Sequence, residues 1–224
     1  MKFLAIPAAL LLVAGCASEP AIQEGPDAEV TYDGLHRIDN SAFEYAYIDP
    51  DADWARYDKI LPGGADFRFR AVKKTSGTTL SRTTTSEFYV DEKNRARLEE
   101  EVSKVFAEEL GQSERFSVTE GPGPDVLIVR GGLTDVVSRV PPEYAGRSEV
   151  FLTSVGEATL VLEIVDSMSG EVLFRAADRR AADRMGGGMT PVRSTPPTNW
   201  SEVRRLARRW ASRLREGLDS LPSS

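Results

Sequence analysis

Cysteine and histidine are almost missing from this chain. A single cysteine, Cys16, and a single histidine, His36, stand among 224 residues. One cysteine excludes an internal disulfide framework and a metal site built from thiolates. One histidine leaves His36 as the sole base for any histidine-based triad, and it sits in an aromatic and polar N-terminal segment. The patterns G-x-S-x-G, S-x-x-K and H-E-x-x-H do not occur. An acid-rich chain offers many carboxylate pairs, but a sequence does not give their separation. Positive charge is also in short supply: 35 acids face 28 bases, for a formal net charge of −7. With a pI near 5.0 the chain lacks the positive footprint of a general nucleic-acid binder. No apolar run reaches the roughly 20 residues of a membrane-spanning helix. The expectation is a non-enzymatic protein with no cofactor, no metal and no nucleic-acid partner.

What is present begins at the N terminus. Lys2 supplies a positive start, Phe3 to Val13 is almost wholly apolar, and Val13-Ala14-Gly15 leads into Cys16. A charged start, a short apolar core and a small-residue cleavage site make an export signal. The alternative is a generic signal cleaved elsewhere, with Cys16 incidental. Val13-Ala14-Gly15-Cys16 resembles the lipobox of bacterial lipoproteins. That resemblance implies cleavage before Cys16, a diacylglycerol on its thiol and often a third acyl chain on the new amine. Each buried methylene contributes about 0.8 kcal/mol, so two or three chains anchor stably where one does not. Ala17, where an aspartate favours inner-membrane retention in enterobacterial lipoproteins, implies the outer membrane, inner leaflet, facing the periplasm. Cleavage removes Lys2 and no acid, taking the net charge from −7 to −8.

Residues 1–15 are therefore read as signal peptide, 16–31 as a flexible Pro-, Gly- and acid-rich tether, and 32–224 as one periplasmic domain. Asp49-Pro50-Asp51-Ala52-Asp53 begins like a calcium loop. However, Trp54 stands where the loop needs glycine, and Ile60 where it needs a bidentate glutamate. A turn and short helix fit better, capped by Asp51 or Asp53, with Trp54, Tyr57 and Leu61 inward.

Pro62-Gly63-Gly64 reads as a break, followed by a strand in which Phe67, Phe69 and Ala71 alternate with Arg68 and Arg70. Residues 73–86 read as a polar loop or hairpin, and Phe88-Tyr89-Val90 as a brief strand or staple. Asp91 caps a helix over about 92–110 whose apolar face is Leu98, Val102, Val105, Phe106 and Leu110, with a Glu100–Lys104 pair outside and Gly111 as a left-handed stop. Phe116-Ser117-Val118 is a short strand. Val126 opens a long strand toward Val140, and Gly131-Gly132 suggests a bulge or bend within it. After a loop at 143–149, strands over about 150–165 and from Val172 form a hairpin at Ser169-Gly170. Ala158, Leu160, Leu162 and Ile164 share one face; Glu163 and Arg175 mark a wet outer face.

Residues 183–198 make a long glycine- and proline-rich loop without a phosphate-binding pattern; such loops are functional or disordered. Asn199, with Glu202 three residues on, caps a last helix whose stripe is Trp200, Val203, Leu206, Ala207, Trp210, Leu214 and Leu218. Arg204, Arg205, Arg208 and Arg209 form a basic ridge on it. That ridge is either a surface for an anionic lipid or acidic partner, or a solvated face paired with the acid-rich body.

Strands and helices that segregate along the chain point to an α+β domain: a two-layer sandwich with a mostly antiparallel sheet and two long helices on one face. The signal, the run Asp-Pro-Asp-Ala-Asp-Trp-Ala-Arg-Tyr-Asp-Lys-Ile-Leu at 49–61 and the stretch Val126–Val137 together resemble the bacterial lipoproteins of domain of unknown function family 3313. The resemblance implies an envelope lipoprotein and brings no catalytic residues. The expected role is a periplasmic interaction or accessory module, held to the membrane by lipid on Cys16 and docking an envelope protein. The alternative is a ligand- or lipid-carrying auxiliary lipoprotein of a transport system, with a hydrolase third.

Overall fold

The alternation over 150–181 builds the centre of the sheet. The structure is a computed structural model and describes residues 19–72, 87–141, 149–183 and 191–223. The lipobox with Cys16, the 73–86 stretch, most of the 143–149 loop and the glycine-rich part of the 183–198 loop lie outside those residues.

In chain order the strands are β1 (Ala21–Ile22), β2 (His36–Asp39), β3 (Tyr45–Ile48) and β4 (Lys59–Phe69), then helix α1 (Glu92–Leu110). They continue with β5 (Ser117–Val118), β6 (Val126–Ser138), β7 (Phe151–Leu152), β8 (Gly156–Asp166), β9 (Val172–Ala181), β10 (Val192–Arg193) and helix α2 (Pro196–Asp219). Eight strands form one sheet in the order β1-β2-β3-β9-β8-β6-β4-β5, and β7 and β10 pair separately. The domain is α+β and its sheet mostly antiparallel. The exception is β4, which runs parallel to β5 and β6. Parallel neighbours need a long crossover, usually a helix, and α1 supplies it between β4 and β6.

The inner face of the sheet carries Ala46, Val129, Leu133, Ala158, Leu160, Leu162, Ile164 and Ala176. They form one hydrophobic cluster with Val102, Val105 and Leu110 of α1 and Leu206, Trp210 and Leu214 of α2. At roughly 1.5–3 kcal/mol for each large apolar side chain buried, this cluster is the main stabilising term. The two helices also touch each other, Ser212 donating to Glu109 at 3.0 Å.

Several expectations are corrected by the backbone. The segment expected to be tether is already paired from Ala21, which lies opposite Asp39. The helix after Asp53 is a single 3-10 turn, Trp54–Arg56, with no side-chain cap; Trp54 and Tyr57 are buried as expected, whereas Leu61 is already in β4. Pro62-Gly63-Gly64 does not end a strand. It sits inside β4 as a register shift between Pro62 and Ala65, which leaves the proline without a ladder bond to give.

Gly131 and Gly132 are there for close backbone approach rather than a bulge. A Cβ on Gly131 would lie 2.3 Å from the Val161 carbonyl oxygen, and one on Gly132 1.8 Å from that of Asp66. The irregularity in β6 falls later, between Thr134 and Val137, where Asp135 takes φ 51°.

Helix α1 begins as read, with the Asp91 side chain accepting from the Asn94 N–H. Its stop differs, since Gly111 is right-handed at φ −66°, and Lys104 pairs with Glu108 rather than Glu100. Helix α2 starts earlier than expected. Thr195 is the N-cap, Thr198 completes a capping box, and prolines fill the first turn, where an N–H has no helical partner to lose.

Candidate functional site

The sheet has a second face. Because side chains alternate, every inward residue of β6, β8 and β9 is flanked by outward ones, and the pairing register lines these up across strands. One cross-strand row reads Arg130, Glu163, Arg175 and Tyr47. The next reads Gly132, Val161, Ala177 and Tyr45, and a third Thr134, Thr159 and Arg179.

The charged residues neutralise each other in two ladders. In the first, Glu163 lies 2.9 Å from Arg130 and 3.0 Å from Arg175, and Arg175 reaches Asp33 at 2.9 Å. In the second, Asp135 lies 2.5 Å from Arg70 and 2.7 Å from Arg179, and Glu157 takes Arg179 at 2.8 Å and Arg139 at 3.4 Å. Glu87 closes the second ladder on Arg70. The Arg70 guanidinium, aided by Arg179, holds the Asp135 carboxyl down at about 2. The bond from Arg175, helped by the Thr31 hydroxyl, lowers Asp33.

Between the ladders runs the shallow strip of Gly132, Val161 and Ala177. It ends at Tyr45, half exposed at 49%, and close to Tyr32, which is 95% exposed and stands 5.9 Å from the Arg175 guanidinium. Arg37 lies 4.7 Å over the Tyr45 ring and 5.3 Å over that of Tyr47. The result is a flat, half-wet face of fixed, self-paired charge with an aromatic end.

The arginine ridge is divided. Arg204 pairs with Glu101 of α1 at 3.2 Å and Arg208 with Glu109 at 3.3 Å. Arg205 pairs within α2 to Glu202, while Arg209 is 3.9 Å from Asp183 beyond β9. All four are on α2, but the structure does not bring them together on one face. His36 opens β2, its Nδ1 2.7 Å from the Gln23 carbonyl. The Asp49 carboxylate accepts from the Asp51 N–H at 2.9 Å, closing a turn. No group of three His, Cys, Asp or Glu suited to a metal occurs among the described residues, and no helix among them is long and apolar enough to cross a membrane.

Sequence reading missed the buried acids. Asp178 is 2% exposed and accepts from the Trp210 indole at 2.7 Å, from the Glu44 N–H at 3.1 Å and from Arg180 at 2.5 Å. Asp166 takes the Tyr57 hydroxyl at 2.7 Å, the N–H groups of Met168 and Ser169 at 2.8 and 2.6 Å, and Arg56. Burial would raise the Asp166 carboxyl, yet the Ser169 N–H, the Tyr57 hydroxyl and the Met168 N–H outweigh it and bring it well below the carboxylate range. The signal was available for Asp178: two residues beyond Ala176 on the same strand, it must point inward.

Comparison with known proteins adds the lineage. Among solved structures the chain is similar to the PelC dodecamer from Paraburkholderia phytofirmans, at 12% identity and TM-score 0.37 over 71% of this chain and 89% of that one. It is similar to XCC0632 from Xanthomonas campestris, of family DUF330, at 15% identity and TM-score 0.37 over 74% and 86%. A neuraminyllactose-binding hemagglutinin homologue from Helicobacter pylori aligns at 10% identity and TM-score 0.37 over 74% and 89%. No curated protein matches the chain significantly. The family model described as "Protein of unknown function (DUF3313)" matches residues 27–214, so the chain belongs to the DUF3313 family.

Proposed function

We propose that this protein is a lipid-anchored envelope lipoprotein whose folded part is an interaction module in the periplasm, docking an envelope protein through the outer face of its sheet. The strip Gly132-Val161-Ala177, bordered by ion-paired ladders and ending in Tyr45 and Tyr32, carries the reading. Protein interfaces combine an apolar centre, a polar rim and aromatic anchors. Here the rim charges are already paired, so docking selects for shape and hydrogen-bond pattern rather than for a polyanion. The arrangement is a two-layer sandwich, helices on the inner face, which leaves the outer face for a partner.

A filled inner face supports this reading over a carrier. Leu160, Leu162, Trp210 and Leu214 occupy the space between sheet and helices where a lipid would lie. No residue is assigned a catalytic role, and no cofactor is assigned.

The anchor is the lipid on Cys16, in the outer membrane's inner leaflet. Cys16→Ser abolishes metabolic labelling with palmitate and releases the protein from the membrane fraction. A mutant that still sediments with membranes overturns the anchor. Docking is tested separately by Val161→Arg, which places an unpaired charge in the strip and abolishes partner capture without changing the unfolding midpoint by more than a degree or two.

A further inference from the structure

Beyond the sheet face, one cluster of charge is not balanced. Arg180 follows Asp178 on the inner side of β9, and Arg209 and Arg213 flank Trp210 on α2 at helical spacing. The Trp210–Asp178 bond at 2.7 Å pins these two elements together there. Asp178 is saturated by Trp210, Arg180 and the Glu44 N–H. Among the described residues the Arg213 guanidinium donates only to a carbonyl, that of Ala42 at 3.0 Å. Among the described residues Arg209 has no carboxylate within hydrogen-bond distance: Asp183 stands at 3.9 Å, and the buried Nε and one terminal nitrogen of Arg209 make no hydrogen bond to any of them. Glu216 also faces Arg213, but its ion pair is with Arg215 at 3.6 Å. Burial, then repulsion from Arg180 and Arg209, pushes the Arg213 guanidinium below its ordinary value.

Buried guanidinium N–H groups without acceptors are costly, and the cost is relieved by an acceptor with several oxygens. The geometry points to a seat for a phosphate-type oxyanion between β9 and α2, with Arg209 as its principal ligand and Arg213 and Arg180 beside it. Arginine's planar fork suits such an oxyanion, and each charge-assisted bond is about twice as strong as a neutral one. The oxyanion's source is either a free phosphate or the phosphodiester of a lipid headgroup. The seat does not depend on the docking face.

The test is calorimetric titration of the full chain in detergent, at constant ionic strength, with inorganic phosphate and with monomeric dihexanoyl phosphatidylglycerol. Saturable binding of at least one probe is expected. It weakens about tenfold or more in Arg209→Gln, in line with a lost charge-assisted bond, and changes less than twofold in Arg208→Gln, whose guanidinium pairs toward α1. Phosphate alone binding assigns a free anion; the lipid binding more tightly assigns a headgroup; both support the seat. Binding of neither probe, or binding indifferent to Arg209→Gln, overturns it. A measurement on the unaltered chain guards against a variant that does not fold. Phosphate or the short lipid should slow phenylglyoxal modification of Arg209 and Arg213 but not of Arg208; no slowing at Arg209 and Arg213, or equal slowing at all three, refutes the seat.

Discussion

Asp178 is where the fold is most vulnerable to one change. The carboxylate is 2% exposed and joins three parts of the chain: α2 through Trp210, the turn before β3 through the Glu44 N–H, and its own strand through Arg180. In Asp178→Ala the Trp210 indole, itself 1% exposed, keeps a buried N–H with no acceptor. That costs about 1–3 kcal/mol, and the lost backbone bond to Glu44 adds about 1 kcal/mol. Arg180, 31% exposed, turns to water and contributes little. The expected loss is about 2–4 kcal/mol, a large part of the roughly 5–15 kcal/mol a domain has. Trp210→Phe removes the N–H but keeps an aromatic ring, and should lose about 2–3 kcal/mol, including a small cavity. Because the two side chains share one bond, the double mutant should be less destabilised than the sum by about 1.5 kcal/mol or more. Urea unfolding followed by far-UV circular dichroism measures all four proteins. A cost below about 1 kcal/mol for Asp178→Ala, or strict additivity, refutes the argument, since either would mean that the buried bond is not holding α2 to the sheet.

Other perturbations separate the remaining claims. Gly132→Ala drives a methyl into the Asp66 backbone and should destabilise by about 3 kcal/mol or more, whereas Gly64→Ala, with open space around it, should be tolerated; thermal unfolding distinguishes them. Thr195→Ala should cost about 1 kcal/mol as a lost N-cap, and Asn199→Ala only a few tenths, read by urea midpoints. Asp135 has a lowered folded pKa, so its contribution is present above the unfolded value of 3.8 and is lost as pH falls toward about 2. With its side chain 40% exposed, the contribution is screened to about 1 kcal/mol. Asp135→Asn, which tolerates the positive φ, should therefore be about 1 kcal/mol less stable at pH 7 and converge with the parent near pH 2.

How far the sequence could be read follows from what each element depends on. The β8–β9 hairpin was legible because its alternation is local and Gly170 takes φ 76° at the turn. Asp91 was legible as a cap because capping is settled within one turn of helix. The parallel course of β4 was not, since alternation is the same for either direction and only the α1 crossover betrays it. Pro62-Gly63-Gly64 looked like a stop because proline and glycine usually are; on a strand with little pairing beyond β5, a bulge accommodates them. Asn199 drew the cap away from Thr195 because Pro196-Pro197 reads as a breaker, although proline is at home in a helix's first turn. The outer face was half visible. Glu163 and Arg175 signalled a wet surface, but the two ladders depend on pairings with Asp33, Arg70 and Asp135, up to 142 residues apart. The ridge of Arg204 and Arg208 reads from sequence either as a partner surface or as a face paired with the acid-rich body; the pairing is found, but its partners, Glu101 and Glu109, lie on the other helix, where the sequence does not point.

The docking claim is tested most directly by photo-cross-linking in intact cells. A photoreactive residue replaces Val161 in the centre of the strip, and another replaces Glu99 on the outer side of α1 as a comparison. One reproducible envelope-protein adduct is expected from position 161 that position 99 does not give, and that disappears when Tyr32 and Tyr45 are changed to Ala. Adducts from 161 that match those from 99, or none at all, would contradict it.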